Sequence, residues 1–467
     1  MDPSLPEPAP PRRSSSAEPA PNARLGFGAL VSVLSALVAI TCAAQGGIAD
    51  PPSDVSMVRP TATAPLPLAP TAPSEADATP ASLRLSEREA SVAPELARFE
   101  AALAGLEAGT RGAPVRILWL GDSHTSADYL TGAVRSALYR RYPAGGPGFV
   151  RLGMAPYRHD LATLNRSGRF RVEPEPPARR SRQGDGAFGL GGVRVSPNGE
   201  AVRMTLKLAR GALSGRARYT LLFDLPELTA FNVTLGAQRV AVTDAASAAR
   251  VSESPILRLE LEGDPSDMLS VVTTLGRPHF YGVIVEGSEP GVVLDTLGID
   301  GARIATALAW AEEPFVAEVR ARRPDLAVIA YGTNEAFDAR DVQAYAAELE
   351  LLVRRLRRGA PELDCLVLGP PDALEPLGLP APRVAEIASV YARTAGELGC
   401  AFVSAQALMG GPGTFATWIR AEPQLARADR VHLTPRGYRR LGELVASSVF
   451  GELVAGAAPA PRARNAE

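Results

Sequence analysis

Val115-Arg-Ile-Leu-Trp-Leu-Gly-Asp-Ser-His124 is the stretch on which the reading of this chain turns. An almost wholly apolar run ends in a glycine and then in three polar side chains. A short segment of this kind, without polar alternation, is how a strand covered on both faces of a parallel sheet reads. A helical pattern follows at Tyr129–Tyr139, and an amphipathic helix is expected before it, over Leu85–Ala108.

The same rhythm resumes downstream. Val292-Val-Leu-Asp-Thr296 precedes a helical pattern over Ala302–Ala311, and Leu326-Ala-Val-Ile-Ala-Tyr331 precedes one over Val342–Leu356. Cys365-Leu-Val-Leu-Gly369 leads to a helix over Arg383–Leu398, and the short strand Ala401–Val403 leads to a last helix over Pro435–Val449. Strands alternating with helices predict an α/β fold, here a flavodoxin-like, doubly wound, five-stranded parallel sheet built from residues 83–154 and 290–456.

Residues 155–289 have another rhythm. Val202–Leu208, Tyr219–Phe223, Phe231–Leu235, Ile256–Leu261 and Met268–Thr273 alternate apolar and polar side chains with a period of two, between Gly, Asp and Pro. This predicts an inserted antiparallel β-sandwich that faces substrate in the manner of a carbohydrate-binding module.

The first 82 residues read as something other than fold, with 15 of the 42 prolines. Residues 1–24 form a Pro/Ser/Ala-rich tail. Leu25–Ala49 is 25 residues without a charge, long enough to cross a bilayer, and the basic residues precede it. It reads as a membrane anchor, a cleaved signal segment or, with Cys42 modified, a lipoprotein leader; each exports the remainder to the periplasm or cell envelope. Residues 50–82 form a Pro/Ala/Thr-rich spacer, and residues 457–467 read as an Ala/Pro/Arg-rich disordered tail.

Composition removes several functions. The 49 cations and 51 anions leave a net charge of −2, so no basic footprint for nucleic acid exists. Lys207 is the one lysine, which excludes a P-loop or Schiff-base lysine. Three cysteines without a CxxC pair exclude a zinc ribbon, and no His or carboxylate spacing suggests a metal or another cofactor. Cys365 and Cys400 open neighbouring strands, as a disulfide or as two buried thiols.

In open α/β sheets, ligands bind beyond the carboxyl ends of the strands. Four features fall there: Ser123 after the first strand, Gly298-Ile-Asp-Gly301 after the second, Gly332-Thr-Asn334 after the third, and Asp429-Arg-Val-His432 before the last helix. Singly, Ser123 and Asn334 could be helix caps, the glycines turn residues, and His432 a surface histidine. Their conjunction, each in its place and order, is the signal.

Taken together these blocks resemble the SGNH/GDSL hydrolases over about 112–155 and 290–455. Gly121-Asp-Ser-His124 is similar to the first block, with His124 in place of the common Leu. Gly301 resembles the second-block glycine, with Gly298 as a substitute, and Asn334 the third-block asparagine. That block reads Gly-Thr-Asn-Glu here rather than the usual Gly-x-Asn-Asp. The inserted β-domain, Gly-Gly-Pro-Gly-Phe149 and Leu-Gly-Ile-Asp-Gly-Ala302 are similar to the branch of bacterial peptidoglycan O-acetylesterases.

The resemblance implies a serine esterase acting on an O-acylated envelope polysaccharide. Ser123 would attack the ester, His432 would take its proton, and Asp429 would orient and stabilise the imidazole. The backbone N–H groups of Ser123 and Gly301 and the Asn334 amide would hold the oxyanion. Asp122 and Gly298 would support the turn. His124 is a weaker candidate base without an acid to orient it. His159 and His279, at the edges of the insertion, are expected to be structural or to touch substrate. An O-acyltransferase with the same triad, and a polysaccharide-binding protein without catalysis, remain as alternatives.

Overall fold

The structure is a computed structural model. It describes residues 94–178, 184–199, 201–226, 228–250 and 254–455. The expected tail, membrane segment and spacer at 1–24, 25–49 and 50–82, and the C-terminal tail at 457–467, lie outside the described residues. Among the described residues no helix is long and apolar enough to cross a membrane.

The parallel sheet has five strands: β1 (Val115–Gly121), β2 (Val292–Gly298), β3 (Leu326–Ala330), β4 (Asp364–Gly369) and β5 (Ala401–Ser404). Their order is β2-β1-β3-β4-β5, all parallel, with the switch point beside β1. This is the doubly wound, flavodoxin-like arrangement that the strand–helix rhythm predicts. The helices are α1 (Ala97–Glu107), α2 (Ser123–Ser126), α3 (Tyr129–Leu138), α4 (Ile304–Leu308), α5 (Glu312–Arg322), α6 (Thr333–Ala336), α7 (Gln343–Gly359), α8 (Pro382–Glu397), α9 (Ala405–Met409), α10 (Thr414–Arg420) and α11 (Pro435–Ala455).

Although β1 reads as one apolar run, its side chains alternate between two cores. Val115, Ile117 and Trp119 pack with α1, α3 and α11, whereas Leu118 and Leu120 face the side of α4, α5, α7 and α8. Cys365 on β4 and Cys400 just before β5 are joined by a disulfide.

Two antiparallel sheets fill the gap between β1 and β2. One joins strands 249–250, 257–263, 217–224, 279–287, 194–197 and 170–173 in that order, and residues 148–150 also pair with 279–287. The other has the order 162–167, 203–208, 269–275, 230–235 and 238–242. Leu221, Phe223, Val283 and Val285 face the second sheet across a sandwich core. Their neighbours Leu222 and Ile284 face the core of the parallel sheet with Leu297 and Ile299. The first sheet is therefore covered on both sides, and strand 148–150 belongs to it although it precedes residue 155.

Two elements differ from expectation. The helix expected over Ala302–Ala311 is the short α4, and α5 follows as a separate helix. The stripe of α5 carries the buried charges Glu318 and Arg322, which erase its apolar period. The longest strand of the insertion, His279–Gly287, lacks polar alternation because it is buried on both faces.

Candidate active site

β1 delivers Ser123 to the carboxyl edge of the sheet. Its last residue, Gly121, has no room for a side chain: a Cβ would lie 2.2 Å from Thr125 Oγ1 and 3.0 Å from the Ala330 carbonyl. Asp122, in extended conformation, caps α2 by accepting the His124 N–H at 2.9 Å, which places Ser123 first in that helix. Gly298 at the end of β2 packs on this turn, where a Cβ would fall 2.4 Å from the Ser126 nitrogen.

The loop between α10 and α11 brings the other partners. Asp429 Oδ1 accepts the backbone N–H groups of Val431 and His432 at 3.0 and 2.8 Å, which shapes a tight turn with Arg430 at φ +68°. The same carboxylate's Oδ2 lies 3.1 Å from His432 Nδ1, and His432 Nε2 lies 3.0 Å from Ser123 Oγ. Burial pushes the Asp429 carboxyl up, but the His432 and Val431 N–H groups and the imidazole outweigh it and hold it below the usual carboxylate range. The His432 and Asp429 side chains are 38% and 45% exposed, so this end of the array opens to solvent. A hydroxyl, an imidazole and a carboxylate in line can move a proton from the first to the second while the third holds the ring.

Gly301 and Asn334 are brought to one place from two strand ends. Gly301 has φ +74°, and a Cβ there would meet only the Ala178 side chain, at 3.4 Å. Asn334 Nδ2 donates to the Ala302 carbonyl at 2.9 Å, and Arg303 donates to the Asn334 carbonyl at 3.1 Å. One amide hydrogen of Asn334 is thus anchored on the Gly301 segment, while its second is not used by that bond. Ser126 Oγ donates to Asp300 at 2.5 Å and ties α2 to the same segment.

Behind the site lie buried ionisable groups. Burial, reinforced by Glu335 and Asp300, pushes the Asp122 carboxyl up to about 8 against the His124 N–H. Burial, with His432 nearby, lowers His124 to about 3, so it stays neutral; its ring lies 5.8 Å from that of His432. His159 sits away from the array beside Asp128 and Arg135, and His279 lies near Asp224 at the edge of the insertion. Among the described residues no group of His, Cys, Asp and Glu side chains could hold a metal ion.

Two contributors were not singled out in the sequence. Glu335 is fully buried and accepts the Ile304 and Gly332 N–H groups, both at 3.0 Å; its signal is the departure from Asp in the third block. Arg151, buried, donates to the carbonyls of Gly298 at 2.6 Å and Gly191 at 2.8 Å, and nothing in the local sequence marks it.

Parallel sheet, insertion and loop together place a hydroxyl, an imidazole and a carboxylate in one array beyond the carboxyl edge of the sheet. Residues 275–440 match the profile of the GDSL-like lipase/acylhydrolase family. The match begins at the end of strand 269–275, within the insertion, and leaves β1 outside it. Among solved structures, a peptidoglycan O-acetylesterase is similar in fold, with TM-score 0.63 and 24% identity, over 78% of this chain and 97% of that one. A lipase/acylhydrolase from Enterococcus faecalis is 22% identical over 35% of this chain and 77% of its own, at TM-score 0.27. An acetyl xylan esterase is 17% identical over 34% and 81%, also at TM-score 0.27. No curated protein matches the sequence.

Proposed function

We propose that this esterase removes O-acetyl groups from an envelope polysaccharide, with peptidoglycan as the substrate, and that Ser123, His432 and Asp429 are its triad. The observation that carries the reading is the array from Ser123 Oγ to His432 Nε2 at 3.0 Å and from His432 Nδ1 to Asp429 at 3.1 Å. Ser123 Oγ attacks the acetyl carbonyl as His432 Nε2 takes the hydroxyl proton. The oxyanion is held by the N–H groups of Ser123 and Gly301 and the free hydrogen of the Asn334 amide. As the tetrahedral intermediate collapses, His432 returns the proton to the leaving sugar hydroxyl. Water, activated by the same imidazole, then cleaves the acyl-enzyme. Asp122 and Gly298 hold the turn beneath the nucleophile.

The substrate class is supported by the likeness to the peptidoglycan O-acetylesterase, which extends beyond the hydrolase segments into the insertion. The uncharged stretch Leu25–Ala49 and the spacer at 50–82 agree with a protein exported to the envelope. The test is acetate release from O-acetylated peptidoglycan by the full-length chain and by Ser123→Ala. Serine-dependent release is expected. Release that survives Ser123→Ala would remove the nucleophile assignment, and serine-dependent cleavage of an aryl acetate without release from peptidoglycan would remove the substrate.

A further inference from the structure

We propose that Glu335 is a positioning residue that sets the separation between the two halves of the oxyanion site, an inference that rests on the assignment of Gly301 and Asn334 to that site. The halves come from different strand ends, and no strand pairing joins them beyond the sheet edge. Glu335 spans the gap. Its Oε1 accepts the N–H of Ile304, three residues after Gly301, and its Oε2 accepts the N–H of Gly332, two residues before Asn334. One carboxylate therefore grips both segments. Asn334 Nδ2 on the Ala302 carbonyl and Arg303 on the Asn334 carbonyl add a second and third tie across the same seam.

Oxyanion donors accelerate a reaction only when they are already aimed at the place where charge develops. The Asn334 side chain and the Gly301 N–H cannot aim together unless the distance between their backbones is fixed. Glu335 is suited to fix it because the side chain is fully buried, so water does not compete for either oxygen. Both of its acceptor positions are filled by backbone donors, which no neutral amide can reproduce: one end of a glutamine would set its NH2 against an N–H. Burial pushes the carboxyl up to about 7 against these N–H groups and Arg303. A carboxyl forced into the interior at that cost is consistent with a specific task. Glutamate rather than the shorter aspartate at this position matches the reach needed to touch both N–H groups.

The test compares the full-length chain with Glu335→Gln, Glu335→Asp and Ser123→Ala. Aryl acetate hydrolysis gives kcat and KM. Inhibition by an arylboronic acid, which forms a tetrahedral adduct with an oxygen in the oxyanion site, gives a second reading. Amide hydrogen exchange at Ile304 and Gly332 gives a third that needs no activity. We expect Glu335→Gln to lower kcat about 10–100-fold with KM within twofold, to weaken the boronate in parallel, and to speed exchange at both amides. Glu335→Asp, which keeps the charge but reaches one N–H, should lie between. Wild-type kcat, boronate affinity and exchange in Glu335→Gln would overturn the proposal while Ser123→Ala stays inactive. Full activity in Ser123→Ala would instead overturn the serine-esterase reading, and the exchange data would then decide the clamp alone.

Discussion

Replacing Asp429 by asparagine tests the array at its least visible joint. Asp429 Oδ1 is held by two backbone N–H groups, from Val431 at 3.0 Å and His432 at 2.8 Å. In Asp429→Asn the side-chain oxygen must keep that place, because the reverse orientation sets an NH2 against two donors at about 1–3 kcal/mol each. The amide nitrogen then falls where Oδ2 now lies, 3.1 Å from His432 Nδ1. It donates there, so Nδ1 becomes the acceptor and the ring proton moves to Nε2. That proton points at Ser123 Oγ, and the imidazole can no longer accept from it. The loss expected for a triad histidine locked in the wrong tautomer is about 10⁴ in kcat, or about 5 kcal/mol of barrier. The turn keeps both backbone bonds, so thermal unfolding should shift little. The assay is kcat/KM for an aryl acetate, with Asp429→Asn also combined with Ser123→Ala, where the double variant should be no slower than Ser123→Ala alone. Activity of Asp429→Asn within tenfold of the parent would refute the argument from tautomer.

Asn334→Ala should lower kcat by about 10²–10³ with KM nearly unchanged, as removal of one oxyanion donor does; an unchanged kcat in steady-state hydrolysis would relocate the hole. The glycines should part company in a thermal melt: Gly298→Ala places a Cβ 2.4 Å from the Ser126 nitrogen and must shift the turn below Ser123, whereas Gly301→Ala meets only the Ala178 side chain at van der Waals distance, 3.4 Å, and incurs mainly the φ +74° strain, about 1–2 kcal/mol. Equal melting losses would contradict the contact geometry. Asp122, with its carboxyl raised to about 8, binds its proton more tightly folded than unfolded, so its contribution to stability is complete below about pH 4 and is lost as pH rises towards 8. In urea unfolding from pH 5 to 8, Asp122→Asn should flatten the decline by up to about 1.4 kcal/mol per pH unit; a parallel slope would place the proton elsewhere.

How much of this was legible follows from how each residue is held. Four of the five parallel strands were visible because double burial leaves short apolar runs, and Ser123 because it follows a strand end, where polarity changes abruptly; Asp429 and His432, on the loop between α10 and α11, were legible only as an Asp-x-x-His block before the last helix. The same double burial hid His279–Gly287: its Phe-Tyr-Gly-Val-Ile-Val core has no period of two to find. In α5 the failure is electrostatic. Glu318 faces Arg258 and Ser254, and Arg322 faces Asp295 and Glu286, so partners far away in sequence make charged residues into core residues. Glu335 announced itself as a departure from a pattern, but its two backbone partners follow from the fold alone. The pairing of Cys365 with Cys400 was left open by their spacing and follows from the adjacency of β4 and β5.

Those distant partners also change what the insertion means for catalysis. Asp295 on β2 bonds Arg322 at 2.6 and 3.0 Å and also accepts the Phe149 N–H, while Glu286 on the last inserted strand bonds both Arg322 and Arg116 of β1. Removing one member of such a buried network leaves an uncompensated charge, typically about 3–5 kcal/mol, so the inserted sheet cannot be a detachable module. Further along β2, Arg151 joins the Gly298 carbonyl to that of Gly191, a residue of the insertion, and Ala178 lies against Gly301. The Gly301 side of the site is therefore braced by inserted chain, whereas His432 and Asp429 stand on a loop that is open to solvent. That asymmetry makes the insertion part of the scaffold that holds the Gly301 segment, through Gly191 on Arg151 and Ala178 beside Gly301, although it supplies no member of the Ser123–His432–Asp429 array.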